Sequence, residues 1–537
     1  MGACGHKPCG DDESEEETAS DSQGSDSETS SLAVESGESA SCCARYCNPF
    51  GCGDGHHRGH RGRGPTQKVF FVENSGKDVR DYFEFDEHDL LGEGGFAKVC
   101  RCQEKKTGIE RALKIIVKQR VPQKERENGR LEREMKTMFS MDHPNIIKVF
   151  QYFEDSKQIY LIMECCKGGE LFDAILEQGR MSEADAATIM QQIFKAMVYM
   201  HENGVCHRDL KPENFLFLKK APIRDNVLKI IDFGIAAHFE ASRHSVASFS
   251  SKVGTPYYVA PEVLPGFARY SEKVDCWSAG VVMYILLSGI FPFKGEGTKA
   301  TLNKVKLAKI TFPPEAFQGV SKPAKELIKK LLQKSPEQRL SAKEALKDPW
   351  VTSSASLPTS ALSGAVMDNL RKYSAEHRFK KAALHVLARH QDEGALSALR
   401  ETFTQLDQDG DGIITFNELK QGLKTAGFGD QFSNKDLQDL AKAVDADGSG
   451  EIDYTEFIAA AMERQAVVQE STLWAAFRVF DKNDDGRISM KELQEVLGTK
   501  EANKAVSKDN VKKILSEVDK NGDGFIDFNE FIEMMRT

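Results

Sequence analysis

The chain has no run of the roughly 18 to 20 consecutive apolar residues that a membrane-spanning helix needs, and its first residues have no apolar stretch of the signal-peptide kind. A cytoplasmic protein is the expectation. Cysteine is scarce over most of the length: of twelve, six (Cys4, Cys9, Cys42, Cys43, Cys47, Cys52) crowd the start and none follows Cys276. That layout gives no disulfide framework, so the thiols are expected to be reduced. Positive charge is missing from Asp11 to Glu38, where eleven acids stand without a Lys or Arg, whereas Arg45 to Lys68 is basic. With a net charge of -10, the chain as a whole is not built to bind a polyanion, and no nucleic acid is expected as a partner. What remains is an ordinary globular mixture, 40% hydrophobic and 29% charged; 537 residues are too many for one core and imply two to four domains.

Four pieces follow in order. Residues 1–75 are rich in Ser, acid, Gly and Cys and too poor in large apolar side chains to offset chain entropy, so an acidic, Cys-rich, disordered extension is expected. Residues 82–350 alternate apolar runs with turns at globular density, residues 351–395 form a joint, and 396–537 carry a fourfold repeat.

The repeat is the most specific signal. "DQDGDGIITFNE" (407–418), "DADGSGEIDYTE" (445–456), "DKNDDGRISMKE" (481–492) and "DKNGDGFIDFNE" (519–530) all fit the twelve-residue calcium loop. A hard cation takes about seven oxygens, from side chains at positions 1, 3 and 5, a backbone carbonyl at 7 and a bidentate Glu at 12. The expected ligands are Asp407, Asp409, Asp411, Ile413 (carbonyl) and Glu418; Asp445, Asp447, Ser449, Glu451 (carbonyl) and Glu456; Asp481, Asn483, Asp485, Arg487 (carbonyl) and Glu492; and Asp519, Asn521, Asp523, Phe525 (carbonyl) and Glu530. Position 6 is always Gly and position 8 always Ile, the latter suited to a short strand that pairs two loops back to back. The starts lie 38 residues apart within each half, so two paired lobes are expected, in an all-α EF-hand domain with Ca²⁺ as its ligand.

The second constellation begins at "LLGEGGFAKV", Leu90 to Val99, a Gly-rich turn between β-type segments whose amides can approach phosphates. Alone it is weak, and Ala97 stands where a third Gly is usual. "RALKII" then puts Lys114 on a β-type run, "LEREMKTM" puts Glu134 on a helical stretch, "HRDLKPEN" supplies Asp209, Lys211 and Asn214, and "IDFG" supplies Asp232. In this order and spacing the stretch resembles a protein kinase. The resemblance implies an α+β bilobal fold that uses ATP and Mg²⁺. It makes Asp209 the acceptor of the substrate hydroxyl's proton, Lys211 a partner of the γ-phosphate, Asn214 and Asp232 the Mg²⁺ ligands, and Lys114 with Glu134 the pair that holds the α- and β-phosphates. Leu91, Gly92, Glu93, Gly94, Gly95, Phe96, Ala97, Lys98 and Val99 would cover the nucleotide. Met163 resembles a gatekeeper, and Glu164 and Cys166 hinge residues. "LKPEN" with "GTPYYVAPE" resembles the Ser/Thr class, whose substrates are Ser or Thr of proteins. Glu170 and Glu213 match acids that meet basic residues upstream of the target hydroxyl. Glu262 and Arg339 would form a structural ion pair, and Ser245, Ser248, Ser250 and Ser251 stand near Arg208 as phosphate acceptors.

Kinase, basic joint and four calcium loops in that order resemble the calcium-dependent protein kinases of plants and protists, in which a calmodulin-like domain follows a calmodulin-kinase-type catalytic domain. The resemblance covers about Tyr82 to Thr537 and implies a calcium-activated Ser/Thr kinase that its own joint inhibits. The alternative is a calcium-responsive scaffold of weak catalysis; intact Lys114, Asp209, Asn214 and Asp232 favour the enzyme. In the joint, Lys372 to His390 reads as one helix with Phe379, Ala383 and Val386 or Leu387 on a face and basic residues around it, the type of target an acidic calcium sensor grips. Val366, Leu370 and Tyr373 just upstream share helical spacing and fit an inhibitory arm against the cleft. The sensor then either lifts the joint from the cleft, the simpler use of a tethered helix, or also braces the kinase. At the N-terminus, Gly2 is available for myristoylation and Cys4 and Cys9 for palmitoylation, the two signals that stable membrane association needs. His6 stands where the motif wants Ser or Thr, and the acids from Asp11 oppose an anionic leaflet. The Cys/His cluster from Cys42 to His60 is irregularly spaced for zinc.

Overall fold

The computed structural model describes residues 72–536 except 76, 95–96, 122–134, 136, 234–236, 239–255, 265–270, 355–361, 392–393, 429–430, 464–469 and 498–507. Six strands come first: β1 (Val72–Ser75), β2 (Phe83–Glu93), β3 (Ala97–Glu104), β4 (Glu110–Val117), β5 (Val149–Glu154) and β6 (Gln158–Met163). They form one sheet in the order β1-β5-β6-β4-β3-β2, with β1 parallel to β5 and the other pairs antiparallel. Strand β1 corrects the expected extent of the disordered extension, since Val72–Ser75 pairs with Gln151–Glu154 and closes an edge that β5 would leave open.

Successive strand residues point to opposite faces. Cys100, Cys102, Leu113, Ile115, Phe153, Tyr160 and Ile162 therefore build one face, and with Val79 and Phe83 they make a separate small core. Lys114 and Val99, opposite each other across β3 and β4, belong to the other face.

The larger lobe is helical. Helix Lys273–Ser288 is apolar on all sides and buried along its length, so it is internal; helix Glu183–Glu202, started by Ser182 accepting from the Asp185 amide, packs beside it. Arg339 and Glu262 form the expected pair in bidentate geometry, 2.6 and 3.0 Å, with both side chains buried. Among the described residues, Cys100, Cys102, Cys165, Cys206 and Cys276 are free thiols.

Residues 362–536 share one further core. The position-8 isoleucines pair as expected, Ile414 with Ile452 and Ile488 with Ile526, and all four are buried. The joint departs from expectation twice. It is two helices, Gly364–Ala375 and Arg378–His390, separated at Glu376, whose backbone is extended (φ -72°, ψ 151°). Local chemistry compensates the break: His377 Nδ1 accepts from the Lys380 amide at 3.2 Å, and Lys381 Nζ donates to the carbonyls of Ser374 and Ala443 at 3.2 and 3.0 Å. Second, Val366, Leu370 and Tyr373 are buried in the sensor's core, and Asn369 donates to the Ala461 carbonyl at 2.9 Å; the expected inhibitory arm is part of the sensor here. Phe379, Ala383, Val386 and Leu387 are fully buried, and the Phe379 ring meets Phe480 and Phe531 edge-on at 5.0 and 6.0 Å.

Candidate active site and calcium loops

The cleft face of the sheet and the catalytic loop meet at Lys114 and Asp232. Lys114 Nζ lies 2.9 Å from Asp232 Oδ1, and the ammonium holds that carboxyl below the usual carboxylate range. Asp232 has φ 61°, a left-handed backbone that a non-glycine residue adopts only under constraint. The constraint is the following side chain: Phe233 is fully buried, its ring 5.0 Å from that of buried His207, which leaves the Asp232 carboxylate turned to Lys114.

Asp209 is held from two sides. Lys211 Nζ pairs with its Oδ2 at 2.7 Å, and Asn214 Nδ2 donates to its carbonyl at 2.7 Å and its Oδ2 at 3.0 Å. One residue to which the sequence gives no evident role fixes this loop. Asp275, fully buried, accepts from the amides of His207 (2.9 Å) and Arg208 (2.7 Å), and His201 Nε2 is 3.0 Å away. Burial alone would raise its carboxyl; the His201 hydrogen bond and the neighbouring imidazoles and amides hold it below the ordinary range. Arg208 is left-handed (φ 70°), so the strain of the loop is set against buried charge-assisted bonds. The only sequence signal is an acid in the otherwise apolar stretch "DCWSAG", Asp275 to Gly280, and nothing local tells which backbone an internal acid will reach.

The remaining cleft residues divide. Leu91 is exposed, Ala97 and Val99 half-buried beside Lys114's strand, and Gly94 donates to the Ala97 carbonyl at 2.8 Å. Lys98 pairs with Glu87, so its ammonium is turned from the nucleotide side, and Glu93 lies opposite it in register. Met163 ends β6 opposite Ala112. Glu164 turns its side chain inward onto buried Lys229 at 3.0 Å, while its amide donates to the Lys148 carbonyl at 2.9 Å; Cys166 is half-buried two residues on. Glu170 starts helix Leu171–Gln178 and is raised above its usual range by burial and by Asp173 and Glu213. Glu213 Oε2 is buried without a hydrogen-bond partner among the described residues. Glu134, Gly95, Phe96, the four serines Ser245, Ser248, Ser250 and Ser251, the acylation candidates Gly2, Cys4 and Cys9, and the Cys42–His60 cluster lie outside the described residues.

Each calcium loop is closed by its first and last ligands. The position-1 acid accepts from the position-6 glycine amide: Asp407 from Gly412 (3.1 Å), Asp445 from Gly450 (2.8 Å), Asp481 from Gly486 (2.9 Å), Asp519 from Gly524 (2.9 Å). The position-12 glutamate reaches back to the second amide of its loop: Glu418 to Gln408 (2.9 Å), Glu456 to Ala446 (2.9 Å), Glu492 to Lys482 (3.0 Å), Glu530 to Lys520 (2.9 Å). Carboxylate oxygens of Asp407, Asp409 and Glu418, and of Asp445, Asp447 and Glu456, lie within 4.8 Å of one another. In loop 1, burial pushes Asp407 up to about 7 and Asp411, beside Asp409, Asp407 and Glu202, up to about 9. Hard oxygen donors crowded enough to resist ionisation suit a divalent cation, which is what the donor set requires of Ca²⁺.

The sensor touches both lobes of the kinase. On the small lobe, Arg389 Nη2 donates to the Val149 carbonyl of β5 at 3.0 Å, Arg111 Nη2 donates to the His390 carbonyl at 3.4 Å, and the Phe150 ring lies 5.1 Å from that of His390 and 4.0 Å from the Arg111 guanidinium. Arg111 and Lys114 are three residues apart on β4 and so on opposite faces: the joint lies against the back of the sheet, away from the cleft. On the large lobe, Asp142 accepts from the Thr455 amide (3.0 Å) and hydroxyl (2.8 Å), Lys343 Nζ pairs with Asp409 at 2.9 Å, and a Cβ at Gly412 would stand 2.7 Å from the Tyr199 ring and 2.8 Å from that of His143.

The family model of the protein kinase domain matches residues 85–351, and that of the EF-hand domain pair matches 396–462 and 470–536. The chain is 41% identical over 478 residues to calcium-dependent protein kinase 3 of Plasmodium berghei, an alignment that covers 88% of this chain and 83% of the relative. It is 38% identical over 472 residues to calcium-dependent protein kinase 5 of Plasmodium falciparum (87% and 80% covered) and 40% identical over 448 residues to calcium-dependent protein kinase 11 of rice, Oryza sativa subsp. japonica (83% and 75%).

Proposed function

The chain belongs to the calcium-dependent protein kinase family, and from that membership we propose a Ser/Thr kinase whose own EF-hands switch it by bracing the back of its small lobe. ATP with Mg²⁺, when bound, supplies the phosphoryl group and neutralises its charge. Asp209 takes the proton of the attacking Ser or Thr hydroxyl while Lys211, 2.7 Å from it, keeps the carboxylate oriented and offers its charge to the transferring group. Asp232 and Asn214 would hold Mg²⁺ through hard oxygens, and Lys114, 2.9 Å from Asp232, would hold the phosphates. Glu170 and Glu213, two acids whose proximity is unfavourable by itself, receive basic residues upstream of the target hydroxyl.

The observation that carries the regulatory reading is the seat of the joint. Arg389 and His390 engage β5 on the face opposite Lys114, and the cleft has Asp232 and Lys114 aligned in this docked arrangement. Calcium favours the docked state; without it the joint leaves the sheet and is available as the inhibitory segment. Truncation after Ser354, which keeps the helix Pro349–Ser354, tests this. A braced kinase loses activity with and without calcium when the sensor is removed, and a truncated kinase with the full activity of the calcium-loaded enzyme would sink the reading.

A further inference from the structure

Three of the four calcium loops have glycine at position 4: Gly410, Gly448 and Gly522, at φ 72°, 76° and 75°. Loop 3 has Asp484 there, in the same left-handed conformation at φ 60°. A side chain in that conformation costs free energy that glycine avoids, and position 4 is not one of the ligand positions of the loop. The Asp484 carboxylate leaves its own loop instead. Its Oδ2 accepts from the Tyr82 hydroxyl at 3.0 Å, 402 residues away in the chain, at the end of the short helix Val79–Tyr82 of the kinase.

Tyr82 is otherwise held by both partners. Its ring lies 5.5 Å from that of Phe153 on β5, with the Arg478 guanidinium 4.4 Å and Lys77 Nζ 5.8 Å from its centre. Arg478, from the sensor helix that enters loop 3, pairs with Glu104 of β3 at 3.1 Å, both side chains buried, and Lys77 donates to the Lys482 carbonyl at 3.3 Å. Thus Phe153 links Tyr82 to the strand whose Val149 carbonyl receives Arg389.

We infer that Asp484 is a positioning residue, which couples the closure of calcium loop 3 to the small lobe through Tyr82 and accepts backbone strain in exchange. Asp484 lies between the ligand positions of Asn483 and Asp485, so where its carboxylate stands depends on whether the loop has closed on its ion. The inference rests on the bracing reading above. It predicts opposite signs for one substitution: Asp484→Gly relieves the loop but releases the kinase.

The test uses the full-length enzyme with Asp484→Gly, Tyr82→Phe and the double variant, measuring calcium binding by calorimetry and peptide phosphorylation across free calcium. Asp484→Gly should lower kcat/KM at half-activating calcium about fivefold, in keeping with a lost hydrogen bond to a charged group at a partly exposed site, while calcium binding, eased by the glycine and reduced by the lost docking contact to which it is reciprocally linked, weakens by less than that factor. Tyr82→Phe should fall equally, and the double variant no further than either single one. Additive losses, or a loss in Asp484→Gly that weaker calcium binding accounts for, would overturn the coupling. Arg389→Ala run in parallel separates two failures. If it lowers activity while Asp484→Gly does not, Asp484 has no positioning role and bracing stands; if neither has an effect, bracing itself is wrong and the inference falls with it.

Discussion

Arg389→Ala cuts the buried link between the joint and the sheet. In the docked protein the side chain is 4% exposed and its Nη2 donates to the Val149 carbonyl at 3.0 Å, on a strand residue that is itself fully buried. Alanine removes the donor and leaves the carbonyl without its partner in a place water reaches poorly, which costs about 1 to 3 kcal/mol. A loss of about 2 kcal/mol is roughly 30-fold in the ratio of docked to undocked protein. If saturating calcium holds wild type about 99:1 docked, the variant falls to about 3:1, so its plateau activity drops by about a quarter and its half-activation moves to higher calcium. The larger effect lies at limiting calcium, where the docked fraction is proportional to the equilibrium constant and activity falls by the full factor of about 30. Peptide phosphorylation over a series of buffered calcium concentrations measures both. Arg389 touches neither Asp209 nor Asp232 in this arrangement, so the KM for peptide measured at the plateau should stay near wild type. Superimposable calcium curves for the two proteins would refute the reasoning, because they would mean that the contact contributes nothing to the active state.

Lys114→Met should abolish phosphotransfer with thermal melting near that of wild type, since the ammonium serves the cleft through Asp232 and not the core; retained turnover would disprove the site assignment. Peptides with Arg upstream of the Ser should outperform Ala-substituted ones, and Glu213→Gln should shrink that preference by about tenfold; an unchanged ratio would remove Glu213 from substrate recognition. His143 is buried where loop 1 meets the kinase, and burial, reinforced by Lys195 and Lys229, pushes it down to about 3. The folded protein therefore refuses a proton that the unfolded chain accepts below about 6.5, so stability is complete above that pH and falls by about 1.4 kcal/mol per pH unit between about 6.5 and 3. Melting temperatures of wild type and His143→Gln at pH 7.5 and 5.5 report the difference, and an equal pH dependence in the two would exclude His143 as its source.

What could be read in the chain was chemistry that is local or strictly ordered. Each calcium loop holds all its ligands within twelve residues, so Asp407 to Glu418 announces its own geometry, and the Ile414–Ile452 pairing follows from period and spacing. Lys114, Asp209, Asn214 and Asp232 are far apart but each lies in a motif that names it. The joint was legible as an amphipathic helix for the sensor, and Phe379, Ala383, Val386 and Leu387 are buried there. Its break at Glu376 was not, because the residues that compensate it, His377 and Lys381, are neutral or basic members of a helical pattern until the Ala443 carbonyl is brought beside them.

Docking was the least legible part, for a related reason. Tyr82, Asp142, Arg389 and Asp484 form no pattern, since each finds its partner on the other side of an interface between two folds that are individually complete. One trace was nevertheless visible in the repeat itself. A loop in which "DKND" stands where "DQDG", "DADG" and "DKNG" stand elsewhere departs at a position where glycine is the easy solution and no ligand is needed. A departure that costs the loop and gives it no ligand has to be accounted for outside the loop. Loops 1 and 3, first in their lobes, each send an acid to the kinase, loop 1 through Asp409 to Lys343 on the large lobe and loop 3 through Asp484 to Tyr82 on the small one, and loop 2 adds Thr455 on Asp142. On the bracing proposal, calcium entering either loop acts on a different half of the enzyme, and the expected outcome is that disabling loop 1 with Glu418→Gln or loop 3 with Glu492→Gln each lowers peptide phosphorylation at saturating calcium; full activity in either variant would refute it.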